Sequence, residues 1–221
     1  MGRLEMQAKW TFSCGSWWDK LMYELLSSPL NLTGDFNEDI DTAYEYFQAE
    51  LNDRRKRPTL FDKEVFIEAH EQVEERPQGF WHIISLEDNH KFTVLPCIND
   101  KNIALCSQNC VKSHHSIQIK NGSEKRNICL LRASRLPWIV DIIKLASRND
   151  PSVDVWLKPE KGKQSGKLYL RYRHTSVDYV VIFSAEKHFY RLISAFPVFY
   201  NNQKSDFDKD AERYHWSYFD E

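Results

Sequence analysis

The chain has 221 residues, of which 42% are hydrophobic and 14% aromatic, and its formal net charge is -2. This length can bury a sizeable core, and the composition excludes disordered and fibrous proteins. Because positive and negative charges nearly balance, phosphate binding would need a local basic patch. No segment has the pattern of a membrane span or a signal peptide, and the five cysteines do not have the spacing of a disulfide framework. We therefore expect a cytoplasmic protein with reduced thiols and no membrane partner.

The N-terminal part of the chain is predicted to be helical. Apolar residues recur at helical spacing from Trp17 to Leu26, after a capping Ser16, and again from Glu38 to Leu51. The basic run Arg54–Arg57 then marks a boundary, and it serves either as a phosphate contact or as a solvated linker. The predicted domains are a helical extension over residues 1–58 and an α+β domain over residues 59–221.

The middle of the chain gives weaker signals. A third helix is predicted over Phe61–Val73, and Pro77-Gln78-Gly79 is predicted to turn the chain into a strand over Phe80–Ser85. Two more short strands are predicted over Lys91–Leu95 and Ile117–Ile119, the latter entering a tight turn at Asn121-Gly122.

The pattern sharpens in the core of the second domain, at about residues 128–200. A helix is predicted over Leu130–Ser147, and four strands follow with short links: Val153–Leu157, Lys167–Arg173, Tyr179–Ser184 and Phe189–Phe199. Short links favour antiparallel neighbours. The predicted fold class is α+β, with N-terminal helices followed by a helix packed on a curled antiparallel sheet of about four strands.

Several polar residues occupy positions where apolar ones are expected. Arg132 and Arg135 begin the helix, Arg171 and Arg173 share one face of a strand, and Ser194 interrupts an apolar strand. A row of guanidinium groups can bind a phosphodiester and stabilise the charge of its transition state. RNA supplies its own nucleophile, the 2′-hydroxyl, so cleavage needs only a base, an acid and cations. The alternative is that these arginines are solvated and paired with Asp154, Asp178 or Glu186.

Four strings of the sequence are similar to phage- and toxin-borne ribonucleases of the barnase, EndoU, colicin and RelE-like (BECR) superfamily. The strings are Cys129-Leu-Leu-Arg-Ala-Ser-Arg-Leu-Pro-Trp-Ile, Leu168-Tyr-Leu-Arg-Tyr-Arg-His, Asp178-Tyr-Val-Val-Ile-Phe and Tyr190-Arg-Leu-Ile-Ser-Ala-Phe-Pro-Val. They span about 70 residues. The most informative match is Leu192–Pro197, since such domains often end in a Leu-[Ile/Val]-[Ser/Thr]-Ala-[Phe/Tyr]-Pro string.

The resemblance implies roles for individual residues. Ser194 would hydrogen-bond the scissile phosphate, Arg173 and Arg135 would stabilise it, and Arg132 would hold either the substrate or the geometry of the residues around it. Arg171 is a further candidate for binding the substrate. The general acid and base are not fixed by the resemblance, and the candidates are His174, His82 and His70. Histidine suits either role because it titrates near neutral pH. The alternatives are a packed core residue for His82 and a surface turn residue for His174.

A zinc site is a weaker alternative. Cys97, Cys106, Cys110 and His114 include the ligand types of a structural zinc site, but the close cysteine pair typical of such sites occurs only once. The leading expectation is no metal and no cofactor.

The sequence thus leaves two hypotheses. The first is a metal-independent endoribonuclease of toxin type, which cleaves RNA by 2′-hydroxyl attack and has an antitoxin or immunity protein as a possible partner. The second is a non-catalytic interaction module, such as an immunity, antitoxin or phage-defence accessory protein. Convergence of the arginines, His174 and Ser194 in one cleft would favour the enzyme.

Overall fold

The computed structural model describes residues 25–87, 115–162, 165–174 and 177–216. The helices are α1 (Phe36–Tyr46), which continues as a π-helical segment over Phe47–Asn52, α2 (Gln78–Ile84), α3 (Leu130–Ser134), α4 (Leu136–Ser147) and α5 (Asn201–Arg213). The strands are β1 (Thr59–Leu60), β2 (Lys63–Phe66), β3 (Gln72–Val73), β4 (Arg76–Pro77), β5 (Ser85–Glu87), β6 (Ser116–Ile119), β7 (Glu124–Ile128), β8 (Val153–Pro159), β9 (Gly166–His174), β10 (Val177–Ala185) and β11 (Phe189–Pro197).

The main sheet is curled and has six strands in the order β1-β2-β11-β10-β9-β8. The antiparallel meander β8 to β11 confirms the four predicted strands, and the α+β fold class is confirmed with it. Two strands beyond the prediction extend the sheet, because β2 pairs with β11 in parallel. A smaller sheet has the order β5-β7-β6, and β3 pairs with β4 in a separate hairpin.

Helices α3 and α4 together occupy the predicted helix over Leu130–Ser147. The helix is interrupted at Arg135, whose backbone dihedral angles lie outside the helical region. Pro137 explains the break, since proline has no N–H and is tolerated only in the first turn of a helix. Nine of the 12 residues of α4 are buried, because the helix packs on the sheet and beneath α1.

Helix α1 confirms the second predicted helix. Asp35 caps it by accepting hydrogen bonds from the backbone N–H groups of Asn37 and Glu38. Ile40 and Phe47 belong to the same cluster of buried apolar residues as the sheet. The boundary at residue 58 stays a prediction.

The predicted helix over Phe61–Val73 is wrong. Its residues instead form β2, β3 and the turns beside them. The turn residues Phe61 and Asp62, and likewise Glu74 and Glu75, all have positive φ angles. These are hairpin turns that normally contain Asn or Gly, so the sequence carries no turn signal there.

The predicted strand over Phe80–Ser85 is also wrong, since residues 78–84 form α2. Five of its seven residues are buried, so the helix has almost no polar face. A short apolar run of this kind has no periodicity that separates a strand from a helix.

Helix α5 lies against β8, and the backbone beyond it pairs with the same strand. The Leu157 N–H donates to the Tyr214 carbonyl (3.2 Å), and Trp156 forms a bridge with His215. Within the described ranges, no helix combines the length and apolar character needed to cross a membrane. Most of the helix predicted from Trp17 to Leu26, and all of the strand predicted over Lys91–Leu95, lie outside these ranges.

Candidate functional site: arginines at the end of α2

The C-terminal end of α2 gathers cationic side chains. A helix end leaves backbone carbonyl oxygens without partners and carries a partial negative charge. Here Ser85 Oγ donates to the Trp81 carbonyl, and Arg126 Nη2 donates to the carbonyls of His82 (3.5 Å) and Ser85 (3.2 Å). Arg132 Nη1 donates to the same Ser85 carbonyl at 2.7 Å. We call His82, Ser85, Arg126 and Arg132 the helix-end cluster.

The charge of Arg126 is neutralised within the protein. Its side chain is 4% exposed, and its Nη1 lies 2.5 Å from a Glu124 carboxylate oxygen. Glu124 also pairs with Lys120 at 2.5 Å. Arg126 Nε donates to Ser85 Oγ at 2.7 Å, so this guanidinium is held by β7, β5 and α2 together.

Arg132 differs from Arg126 in having no such partner. The residue is 9% exposed, and within the described residues no carboxylate lies within salt-bridge distance of its guanidinium. Burial is the main cause that lowers the pKa of Arg132. Its guanidinium carbon lies 5.1 Å from the centre of the Phe196 ring. A nearly buried charge is costly unless it is paired, so an anion bound at this position would be stabilised by Arg132.

His82 lies in the last turn of α2. Burial, and next the positive charge of Arg126, lower its pKa to about 4. The imidazole is therefore neutral at neutral pH, and it is a weaker base than an ordinary histidine.

Arg135 lies near the helix-end cluster, and two aromatic residues, Trp138 and Tyr179, connect them. Its guanidinium carbon lies 4.7 Å from the centre of the Trp138 ring, and Trp138 packs edge-on against Tyr179. Burial raises the pKa of Tyr179, and the positive charges of Arg132 and Arg135 oppose that rise. Both arginines are thus electrostatically coupled to the same phenol.

Ser194 lies on β11, two residues before Phe196. Since side chains alternate along a strand, Ser194 and Phe196 lie on the same side of β11. Phe196 in turn contacts Arg132. His82, Arg132 and Arg135 therefore fall in one region, whereas Ser194 pairs with Ile182 on the α5 side of the sheet and approaches that region only through Phe196.

Arg171 and Arg173 lie elsewhere, on the face of the sheet beneath α5. Arg171 is 2% exposed and makes a bidentate ion pair with Asp178 (2.8 and 2.7 Å), and it also donates to Asp208 (2.8 Å). Arg173 is paired with Asp154 (2.5 Å) and Asp208 (3.0 Å). Both guanidinium groups are therefore neutralised within the chain. The alternative prediction named two of these partners, Asp154 and Asp178, but it expected solvated arginines, whereas Arg171 is buried.

His174 does not join these arginines. It ends β9, its ring lies 6.3 Å from that of Tyr172, and alternation along the strand places both on the face opposite Arg173. The third histidine candidate, His70, is exposed and follows β2, with its ring 6.5 Å from that of Phe66.

Sequence reasoning missed Arg126 and Ser85. Arg126 lies on the same buried face of β7 as Ile128. An arginine at such a position is the sequence signal that identified Arg171. The sequence predicts no strand over residues 124–128, so the position of Arg126 on a buried face is not visible from the sequence. The zinc alternative, Cys97, Cys106, Cys110 and His114, lies outside the described residues, and within them no metal-binding group of His, Cys, Asp or Glu occurs.

Comparison of the chain with protein-family models, with curated proteins and with solved structures finds no match. The resemblance to BECR ribonucleases therefore depends on the short strings of the sequence.

Proposed function

We propose that this protein is a metal-independent endoribonuclease of toxin type. The observation that carries the proposal is the nearly buried guanidinium of Arg132, which has no carboxylate partner in the described part of the chain. A phosphodiester would supply the missing negative charge, and it would do so close to His82. An RNA substrate also agrees with action in the cytoplasm.

The proposed reaction uses the 2′-hydroxyl of the RNA. His82 accepts the proton of this hydroxyl, the bond from the 2′-oxygen to phosphorus forms, and the bond from phosphorus to the 5′-oxygen breaks as that oxygen takes a proton from water. The protonated His82 then returns its proton to the solvent. Arg132 and Arg135 stabilise the negative charge that develops on the phosphate, and Ser194 donates a hydrogen bond to it. The products are a 2′,3′-cyclic phosphate and a 5′-hydroxyl.

The low pKa of His82 belongs to the protein without RNA. A phosphate anion close to the helix-end cluster would counteract the effect of Arg126 and raise the pKa of His82 toward neutrality. Substrate binding would therefore increase the basicity of the group that accepts the proton. A cell making such an enzyme would need an antitoxin or immunity protein to hold it inactive.

The test is incubation of the purified protein with total RNA in EDTA, with mapping of the fragment ends. We expect discrete fragments with 2′,3′-cyclic phosphates. Arg132→Gln and Ser194→Ala should each lower the rate by roughly 100-fold or more, the scale of losing one group that stabilises transition-state charge.

Arg148→Gln is the matched control, since Arg148 is 60% exposed and paired with Asp150 on the surface. It should leave the rate unchanged. Intact RNA after incubation with protein shown by mass spectrometry to contain no inhibitor would overturn the proposal, and so would full activity of Arg132→Gln.

A second function is favoured by one observation. The pairing of Arg171 and Arg173 with three aspartates removes two guanidinium groups from the predicted catalytic set. This suits a non-catalytic interaction module that binds a partner through the sheet. Binding of RNA that depends on Arg132, without cleavage, would support the module over the enzyme.

A further inference from the structure

Helix α5 covers a face of the sheet with both basic and aromatic side chains. The register of the strands puts Trp156 opposite Tyr169, and Lys158 opposite Lys167. Alternation along β9 adds the two ion-paired arginines to the same side of the sheet. We call Trp156, Lys158, Tyr169, Arg171 and Arg173 the covered face.

Helix α5 meets each basic group of this face with a carboxylate. Asp208 accepts hydrogen bonds from Arg171 (2.8 Å) and Arg173 (3.0 Å). Asp210 accepts one from Lys158 at 2.6 Å, and this bond raises the pKa of the lysine.

Phe207 of α5 occupies the aromatic part of the covered face. Its ring centre lies 5.8 Å from that of Trp156 and 6.0 Å from that of Tyr169, and the guanidinium carbon of Arg171 lies 5.7 Å from it. One turn of helix thus presents an aromatic ring and two anionic groups to a surface that combines aromatic rings and cations. Single-stranded RNA presents the same groups, as stacked bases and phosphates.

We propose that the covered face binds single-stranded RNA and that α5 is its internal competitor. Phosphates would take the places of Asp208 and Asp210, and a base would take the place of Phe207. The helix would leave the face when RNA occupies it.

Two observations indicate that α5 is not an optimal partner for the face. None of its 13 residues is buried, so the helix is held by contacts near the surface. Beneath it, the indole Nε1 of Trp156 is buried and has no hydrogen-bond acceptor within the described residues. A buried N–H without an acceptor is rare in native proteins, and a phosphate or base oxygen would satisfy it.

The covered face is continuous with the proposed catalytic site. Ser194 lies opposite Ile182, Ile182 opposite Tyr169, and Tyr169 opposite Trp156, so one row crosses four strands. Strands are about 4.8 Å apart, so Trp156 lies roughly 14 Å from Ser194 along this row. RNA bound at Ser194 would extend over the covered face; this connection rests on the proposed function, whereas RNA binding by the face does not.

The experiment measures binding of a fluorescent 2′-O-methyl oligouridylate to the full chain by anisotropy. This probe lacks the 2′-hydroxyl nucleophile and stays intact whether or not the protein is a nuclease. In the double variant Asp208→Asn and Asp210→Asn, α5 loses both carboxylates, and we expect at least tenfold tighter binding than in the wild type. Adding Arg173→Ala to the double variant should reverse most of the gain.

The matched control is Asp206→Asn on the same helix. Asp206 is 75% exposed and pairs with Lys209 on α5 itself, so removal of this one negative charge should leave the affinity within twofold. Equal tightening by Asp206→Asn would show a general charge effect and would overturn the proposal. An unchanged affinity in the double variant, with an unchanged circular dichroism spectrum, would also overturn it.

Hydrogen exchange in the wild type gives an independent test. Addition of the probe should accelerate exchange of the α5 amides, while the amides of α4 stay protected. Slower or unchanged exchange of α5 with the probe bound would contradict displacement. RNA cleavage is scored separately, so tighter probe binding without cleavage would retain the covered face and reject the nuclease.

Discussion

His82 is the residue whose protonation links the helix-end cluster to the proposed reaction. Its pKa of about 4 predicts a neutral imidazole throughout the physiological range. We expect the His82 Cε1 proton to titrate near pH 4 by NMR, with assignment from His82→Gln. A bound uridine monophosphate should raise this pKa, and a pKa that is the same with and without the nucleotide would contradict a phosphate beside His82.

The same shift has a consequence for stability. The unfolded chain takes up a proton at this histidine near pH 6.5, whereas the folded chain does not until about pH 4. Stability supplied by the neutral His82 is therefore complete above pH 6.5 and is lost as the pH falls toward 4. The full difference corresponds to about 3 kcal/mol, and His82→Gln should remove that part of the pH dependence of the free energy of unfolding.

The hairpin of β3 and β4 is the element that offers the clearest stability test. Glu74 and Glu75 form its turn with φ angles of 48° and 61°, a conformation that asparagine and glycine adopt with less strain. Replacing the pair with Asn-Gly should raise the free energy of unfolding by about 1 kcal/mol in urea titrations. As a control, Lys144→Gly at an exposed position of α4 should lower the free energy of unfolding by about 1 kcal/mol. A lower free energy of unfolding in the Asn-Gly variant would contradict the assigned turn.

Elements were predictable where periodicity and turn chemistry agreed. The strands β8 to β11 are rich in apolar β-branched and aromatic residues and are joined by short links, so the meander followed from the sequence. The strands β1 to β4 could not be predicted from the sequence, because their turns contain Phe, Asp and Glu where Asn or Gly is usual. Helix α2 was assigned as a strand because burial on nearly every side removes the polar face that marks a helix.

The candidate site was predictable only in part, for a reason that lies in tertiary structure. Arg132 and Arg171 give the same sequence signal, an arginine at a position that should be apolar. Only the fold shows that Arg171 meets Asp178 and Asp208 while Arg132 meets a backbone carbonyl and an aromatic ring. The counter-charges come from residues between 7 and 37 positions away in the chain, and local patterns do not reveal them.

At the scale of the whole molecule, the charge balance limits how the proposed RNA substrate would be bound. The net charge is -2, so binding would rely on a few local contacts at Arg132, Arg173 and Lys158. For about three phosphate contacts, the logarithm of the binding constant should fall with the logarithm of salt concentration with a slope of about -2. The same anisotropy titration at several salt concentrations measures it, and a slope steeper than about -5 would indicate a long basic track that this chain lacks in its described parts.

The parallel pairing of β2 with β11 also sets the order in which the protein is built. Glu64 of β2 pairs with Phe189 of β11, roughly 125 residues later in the chain. Strand β2 is therefore synthesised well before the strand with which it pairs. At a synthesis rate of about 5–20 residues per second, the wait is roughly 6 to 25 s. Ser194 and Phe196 belong to the late strand, so a nascent chain has no assembled site until that strand has been made and has paired. The proposed activity would then begin only after the late strand has emerged and docked, and a partner could bind during that interval.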